Sequence, residues 1–460
     1  MAWWESITRS IAANLYNMMT DNPELVKRRG YYGGAQKPQL VVQSGKTDDN
    51  IIVNLCGLAV DRSVSRLLSG GVEFDYGEGS DVLQEYIDAV YAANHKDIWL
   101  NNSAISGGVY GTGYVKIMPD GAIDPYSDAK FPRLVVLNSE YLTINVNDED
   151  SEKVESYVIE YTLTDDDGMG STSYRETTRH ANPEEMDGEA AGTWIVVSEI
   201  RKGDVARWQP DPDKPPVQWP YDFPPIIHWK NLPSLNTVYG SSDLDDILGV
   251  QDKNNFTMSN LQKMVRLQAH KQPWGRGIGD KDTLNVGPDK LIKLTNPDAE
   301  LGVLDFTADI SGSLAYSHDL RQTIFDLARE LDVTSMADKL GTLTNFGLRV
   351  LAADSLDKCN TKRMLFGEML IELNRRLLVL AGIVAVPCDI KWSDPLPRNK
   401  AEDLAGDLQL QAAGNVSKQS VTEKYGYDWE VEQERITQEK STGDNAIGAA
   451  ILRSFPTIGQ

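Results

Sequence analysis

Between Ile226 and Asn260 the chain reads IIHWKNLPSLNTVYGSSDLDDILGVQDKNNFTMSN, and no other stretch constrains the fold as tightly. An apolar strand (Ile226, Ile227, Trp229) runs into Asn231-Leu232-Pro233. A turn is expected at Tyr239-Gly240-Ser241-Ser242, followed by a long helix that opens with Leu244, Ile247, Leu248 and Gln251. Ser242 is read as the N-cap of that helix, and Asp243, Asp245 and Asp246 as negative charge on its positive end. Taken alone, this is a strand-to-helix junction that implies no chemistry.

At 460 residues the chain exceeds the size at which single cores stop growing, so two or more packed units are expected. Cys56, Cys359 and Cys388 are far apart and form no CxxC pair, so they are read as small buried apolar residues in a reducing compartment. The start, MAWWESITRSIAANLYNMM, has neither the basic nor the apolar region of a signal peptide. The longest apolar run, Leu377 to Val386, is too short to span a bilayer, so a soluble protein made in the cytoplasm is expected. The formal net charge is −23. Such an excess argues against a chain that grips nucleic acid through its phosphates, because that function needs a basic surplus. Solubility and self-repulsion are the plain reading of the sign.

Periodicity predicts helices over residues 3–28, from Asn50 to Leu68 (Ile52, Leu55, Cys56, Ala59, Val60, Val64, Leu67 and Leu68 on one face) and over about 80–107. Ser69-Gly70-Gly71 ends the second. Strands are expected at 108–118, 134–136, 141–146, 157–163 and 194–200, with the acidic segment 165–192 as an exposed hairpin tip or loop and 208–225 as connection. The long helix from Ser242 reaches about Ala269 and breaks at Gln272-Pro273-Trp274-Gly275. Short strands are expected near 291–292 and 303–304, and then a helix over 313–331 with Leu320, Ile324, Leu327 and Leu331 on one stripe. A loop or broken helix over 332–347 leads to a helix from Leu348 to Leu380, a strand over 388–392 and acidic helices to about 440.

"Apolar strand, His-x-x-Asn, Tyr-Gly-x-Ser-Asp-Leu, then a Gln-Asp-x-x-Asn helix" resembles the portal proteins of tailed double-stranded DNA bacteriophages. Further pieces follow in the order of that family. Asn50-Ile51-Ile52 to Asp61 and Leu67 to Gly71 resemble its wing helix, and Gly111-Thr112-Gly113-Tyr114-Val115-Lys116 its wing strand. Leu137 to Tyr141 matches a further strand start, with Ser139 where proline is usual, and Lys391 to Pro397 and Ser417 to Glu434 resemble the approach to the crown and the crown itself. The resemblance covers roughly positions 50 to 440.

It implies an α+β portal-type fold assembled as a ring: wing 1–242, stem helix 243–270, clip 271–308, second stem helix 309–331, tunnel loop 332–347, wing helix and strand 348–399, crown 400–440 and a flexible tail 441–460. Asp338, Lys339, Thr342, Thr344 and Asn345 would face the DNA channel, and Arg276 and Lys281 would touch partners at the clip. The family's ring is a dodecamer at one capsid vertex of the virion, assembled in the host cytoplasm. It docks the terminase, then a head-tail adaptor, contacts capsid or scaffolding proteins, and passes double-stranded DNA without reading its sequence. No enzyme activity, cofactor, metal or membrane partner is implied. An anionic wall suits such a conduit, since it offers no counterion-release affinity to the duplex. Leftover apolar stripes on two helices joined by a small β-containing excursion are most simply covered by neighbouring copies.

Two other readings stand beside it: another head-tail connector or minor head protein, and a metal-dependent hydrolase using some of the many carboxylates. Enzyme motifs give the latter little support. Gly45-Lys46-Thr47 has Leu40 where a P-loop needs glycine, and Asp165-Asp166-Asp167-Gly168 lacks the EF-hand acids because Leu163 and Tyr174 stand there. The five histidines show no HExxH or His-Cys spacing, and His228 is read as a packed core residue. There is no Gly-x-Ser-x-Gly elbow.

Overall fold

The computed structural model describes residues 22–42, 44, 47–77, 79–123, 129–164, 170–182, 194–203, 207–269, 272–278, 296–304, 310–332, 345–396 and 400–438. Helix and sheet are mixed throughout. The chain divides into two compact units, one of 1–341 with 351–395 and one of 342–350 with 396–460.

The first unit is built on three layers. Helices α1 (Pro23–Tyr32), α2 (Leu55–Leu67), α3 (Asp81–Ala93) and α4 (Lys96–Tyr110) precede the two larger sheets. A three-stranded antiparallel sheet follows, in the order β10 (Ile226–Lys230), β2 (Thr112–Ile123), β3 (Lys130–Leu137). A larger sheet runs β4 (Leu142–Val146), β5 (Val154–Thr164), β6 (Ser171–His180), β7 (Trp194–Lys202), β8 (Gln209–Pro210), with β9 (Val217–Trp219) also on β7. Tyr114, Leu137 and Ile226 of the first sheet meet Tyr157, Ile159 and Tyr161 of the second in one core. A buried ion pair, Lys116 to Glu176 at 2.5 Å, crosses the same layer. The main core lies on the other side, where α2, α3 and α4 pack with the long helix α8 (Ala353–Leu380) around Ile87, Val90, Tyr91, Phe366, Leu370 and Leu373.

Two further helices of this unit, α5 (Leu248–Ala269) and α6 (Ile310–Leu327), pack on each other. A hairpin of β11 (Gln272–Arg276) and β12 (Glu300–Leu304) lies between them in sequence. Helix α7 (Asn345–Leu351) precedes α8, and β1 (Val72–Asp75) pairs with β13 (Asp389–Trp392). In the second unit α9 (Lys400–Ala412) and α10 (Lys418–Lys424) are joined by Lys424 on Asp407 at 2.7 Å and the Tyr425 hydroxyl on the same carboxylate at 3.1 Å. Ser417 caps α10 by accepting from the Ser420 amide.

Several boundaries differ from those the periodicity predicts, each for a local reason. Asn22 and Pro23 start α1, the asparagine side chain accepting from the Leu25 amide, so no single helix covers 3–28; residues 1–21 of that expectation lie outside the described residues. The helix expected from Asn50 begins at Leu55, because Asn54 caps it by accepting from the Gly57 amide, and Ile52 is exposed. The helix expected over 80–107 is two, broken at Asn94 and His95, the latter at φ 55°. The strand expected from 108 starts at Thr112, since α4 runs on to Tyr110. Within the segment expected to be a loop, β6 is the strand between β5 and β7. Its sequence, STSYRETTRH, is too polar to read as a half-buried strand, yet Ser173 and Thr178 are buried.

The break expected at Gln272–Gly275 is itself a strand, β11. On α6 the buried side chains are Ser317, Ile324 and Phe325; of the expected stripe Ile324 lies in the core and Leu320 is half-buried, while Leu327 is exposed. That helix ends early in a Schellman turn: Arg329 takes φ 52°, its amide donates to Asp326 and the Glu330 amide to Phe325. The helix expected from Leu348 to Leu380 is interrupted at Ala352, between α7 and α8. All three cysteines are buried and free, as their spacing implied.

Candidate functional site

The strand-to-helix junction is where the sequence motifs converge. Helix α4 leaves its last four carbonyls without partners inside the helix, as every helix does. All four are satisfied here. Gly107 accepts from the Gly111 amide at 2.7 Å, Gly108 from the Asp243 amide at 2.9 Å, Val109 from the Ser242 hydroxyl at 2.7 Å and Tyr110 from the Arg28 guanidinium at 2.9 Å. Gly111 permits this because φ there is +87°, and a Cβ would stand 2.4 Å from the Gly240 carbonyl. The loop is tied further by Asn231 N–H to Gly111 at 2.8 Å and Gly240 N–H to the Thr112 hydroxyl at 2.9 Å. Ser139, standing where the resemblance expects proline, donates its hydroxyl to the Thr112 carbonyl at 2.8 Å.

The three aspartates do not sit on the first turn of the helix. Residues 243–247 form a turn and α5 starts at Leu248. Asp245 accepts from the Ser242 amide at 2.9 Å and pairs with Arg28 at 2.7 Å, while Asp246 is exposed. Asp243 has a different role, since its side chain is wholly buried. Lys362 reaches it at 2.5 Å and Lys358 at 3.1 Å, both from α8. Asn231 donates to it at 3.3 Å. Lys362 also donates to Ser63 at 2.8 Å and Lys358 to the Ala328 carbonyl at 2.8 Å. Glu330, placed by the turn at Arg329, lies 3.8 Å from Lys358 and takes Arg66 of α2.

Burial works against the Asp243 charge, yet the two ammonium groups outweigh it and hold the carboxyl down to about 2. For Lys362 burial prevails: together with the Lys358 cation it pushes the ammonium below the usual lysine range, with Asp243 opposing. A buried pair of this kind contributes little net energy against an apolar equivalent, but removing one partner is costly. It therefore fixes which helices meet.

A second set of buried polar groups lies along α5. Gln251, Asn255 and Ser259 recur every fourth residue on one face and are all buried. They receive the extended segment that precedes α2. The Ser259 hydroxyl accepts from the Ile51 amide at 2.9 Å, Asn255 accepts from the Val53 amide at 3.0 Å, and Gln251 donates to the Val53 carbonyl at 2.6 Å. Asn255 also donates to Gln36 at 2.5 Å, and Arg266 grips Asp49 with two bonds of 2.7 and 2.6 Å. The Gln-Asp-x-x-Asn signature is thus a ladder that holds a neighbouring chain segment in register. Its remaining member, Asp252, accepts from the Tyr31 hydroxyl at 2.7 Å.

His228 is half-buried beside Arg376, with the Tyr157 hydroxyl 2.8 Å from Nδ1. Burial, then the charges of Arg376 and Lys230, lower its pKa to about 4, so the ring is neutral at pH 7 and shares a hydrogen bond with Tyr157. Arg376 is spent on the Pro224 and Ile226 carbonyls and on Glu372. Both side chains serve packing, in line with the reading of His228 as a core residue.

Of the predicted channel and clip residues, Arg276 is exposed at the end of β11. Asn345 starts α7. Lys281, Asp338, Lys339, Thr342 and Thr344 lie outside the described residues, as do all of 279–295, with the strand expected near 291–292, and the tail after 438. Among the described residues no group of three or more His, Cys, Asp or Glu side chains is placed to hold a metal ion. None of the described helices is long and apolar enough to cross a membrane.

The profile of one family, phage portal protein, SPP1 Gp6-like, matches residues 16–446. The chain belongs to that family. This portal protein also resembles a chain of the virion of a native gene transfer agent particle, at 12% identity, 93% coverage of this chain and 99% of the other, and a TM-score of 0.46. A chain from the neck of an empty gene transfer agent particle computed with C6 symmetry gives 12% identity, 90% and 97% coverage, and a TM-score of 0.46. No curated protein matches it.

Sequence reasoning missed Lys358, Lys362, Glu330 and Arg66. The available signal was two lysines, four residues apart, on the same stripe of α8 as Cys359, Phe366, Met369 and Leu373, where an ordinary amphipathic helix is apolar.

Proposed function

We propose that copies of this portal protein close into a ring, a dodecamer, that forms the channel for DNA packaging and ejection at one capsid vertex. In this reading 1–242 with 348–399 form the wing, 243–270 and 309–331 the stem, 271–308 the clip, 332–347 the tunnel loop and 400–440 the crown. The ring docks the terminase during packaging and the head-tail adaptor afterwards, and has no catalytic role of its own.

The observation that carries the reading, beside family membership, is the apolar surface left open on the helix pair and its hairpin. Phe256 and Val265 on α5, Leu314, Tyr316 and Leu327 on α6, and Trp274, Val303 and Leu304 on the hairpin are all exposed. An apolar surface of this kind marks an interface, and a head-to-tail contact repeated by rotation closes a ring. Lys339 with Asp338, Thr342, Thr344 and Asn345 would line the channel, and Arg276 and Lys281 would face the motor or adaptor. Sedimentation and negative-stain imaging of the purified protein test the reading, which requires a large particle with a central hole. A monomer or dimer that hydrolyses substrates with added divalent cation would overturn it, as would rings that hydrolyse ATP without terminase.

A further inference from the structure

An open cavity of about 990 Å³ lies between α1 and the start of α5, lined by Lys27, Arg29, Tyr31, Lys37 and Asp252 among others. It is basic in a protein whose net charge is −23, and residues 25–47 contain no Asp or Glu at all. Lys27 and Lys37 are exposed and have no ion pair among the described residues, and Arg29 is half-exposed although it touches Glu140. Asp252 in the lining accepts from the Tyr31 hydroxyl at 2.7 Å and Gln39 at 3.4 Å and offsets only part of the positive charge that Lys27, Arg29 and Lys37 bring.

The turn between β4 and β5 carries the complementary charge. Asp148, Glu149 and Asp150 are exposed there and have no ion pair among the described residues. The turn is already shaped: the Asn147 amide donates to Lys153 at 2.9 Å, the Lys153 amide to Asp150 at 3.1 Å and the Glu149 amide to the Asn147 side chain at 2.9 Å. Three carboxylates are thus presented on a preformed tip, against two lysines at one cavity that have no ion pair among the described residues. The tip lies beyond β4, a strand of five residues that starts next to Glu140, the partner of Arg29. Five residues of strand place it roughly 17 Å further on, so its complement is more naturally met in another molecule.

We propose that the cavity beside α1 receives the acidic β4–β5 turn of a neighbouring copy of this chain. The proposal rests on the ring reading and adds to it a polar contact, separate from the apolar faces of the helix pair. Two different surfaces meeting head to tail are what ring closure demands. Nucleic acid is the less fitting occupant, because a strongly anionic protein repels a polyanion beyond the cavity itself. Charge complementarity of this sort sets register and association rate, and salt weakens it.

The test uses three full-length variants: K27E/K37E, D148K/E149K, and the two sets combined; Asp150 is kept because its side chain accepts from the Glu152 amide at 3.0 Å and shapes the turn. All altered side chains are exposed, so circular dichroism melts should match the parent and separate assembly from folding. Each reversal alone should weaken every contact around the ring by roughly tenfold and shift it to smaller species at physiological salt. The combined variant should restore the rings. Rings that persist unchanged in both single sets overturn the proposal while leaving the ring reading intact, and so does failure of the combined set to rescue. A parent protein that forms no ring sinks the ring reading itself. Duplex DNA retained by the parent and released by K27E/K37E, with rings unaltered, would assign the cavity to nucleic acid and overturn the proposal.

Discussion

The Asp243 carboxylate lies 2.5 Å from the Lys362 ammonium, although 119 positions separate them in the chain. The contact locks the start of the α5 helical arm to the long helix α8, in a place where neither charge reaches water. Removing the lysine leaves a buried carboxylate with Lys358 as its one cation and Asn231 as a neutral donor. Lys362→Met is therefore expected to cost about 3–5 kcal/mol of stability, read as a lower urea midpoint with an unchanged slope. A loss below about 1 kcal/mol would mean that the pair does not determine this contact.

The same cluster and His228 give the protein an acid limit in two steps. The histidine is depressed to about 4 in the fold against an ordinary value near 6.5, so its contribution is complete above about 6.5 and is lost as pH falls through 4. Asp243 is depressed to about 2, so its share is present above about 4 and is lost below that, as pH falls through 2. Lys362 has the same sign but acts in alkali. Its lowered value means the unfolded chain binds more protons, so its penalty eases as pH rises toward the ordinary lysine range. His228→Gln should flatten the stability profile between pH 6.5 and 4, by at most about 3 kcal/mol across that window. An unaltered profile in equilibrium unfolding would show that the ring titrates normally.

The ladder on α5 predicts a pattern of amide protection. The Ile51 and Val53 amides donate to Ser259 and Asn255, so both should exchange slowly in the parent protein. Asn255→Ala should expose Val53 and strand Gln36, at a cost of about 1–3 kcal/mol. Ser259→Ala should release Ile51 alone. Hydrogen exchange at residue resolution distinguishes these two outcomes, and equal release of both amides would contradict the one-to-one pairing.

Gly111→Ala introduces a Cβ 2.4 Å from the Gly240 carbonyl, at a backbone angle that alanine resists. The four carbonyls at the end of α4 depend on that approach. We expect a loss of about 3 kcal/mol or more, measured by thermal unfolding. A melting temperature within a degree of the parent's would show that the junction adapts.

Two assembly outcomes follow from the ring reading. Phe256→Asp and Val303→Asp charge apolar surface that is already exposed, so the single chain should melt normally while rings fail to form in sedimentation. Deleting 338–344 should leave rings intact by negative stain but impair packaging or retention of DNA. Rings lost on that deletion would show the segment to be structural.

Much of this architecture was legible because its elements follow one rule at a time. The strand Ile226–Lys230 carries the expected apolar run and α6 and α8 keep helical spacing, whereas the turn expected at Tyr239–Ser242 falls later, at 243–247. The misreadings occur where a polar side chain overrides periodicity. Asn54 ends an apparent helix pattern by capping, His95 breaks another in the left-handed region, and β6 is a central strand written in Ser and Thr. The site was half legible. Its glycines, Asn231 and the Gln-Asp-x-x-Asn run stand in the sequence, but their partners Lys358, Lys362 and Gln36 come from distant segments that only the fold brings together.

The four-residue spacing of Gln251, Asn255 and Ser259 has a mechanical meaning. A helix seated only on grease can creep along its axis by a fraction of a turn, since oily contacts are indifferent to small slips. One indexed by amide and hydroxyl groups must break every index mark together before it moves. Tension drawn along α5 would therefore pass undiminished into residues 49–54 and, through the Asn54 cap, into α2. Arm and body would bear load as one piece.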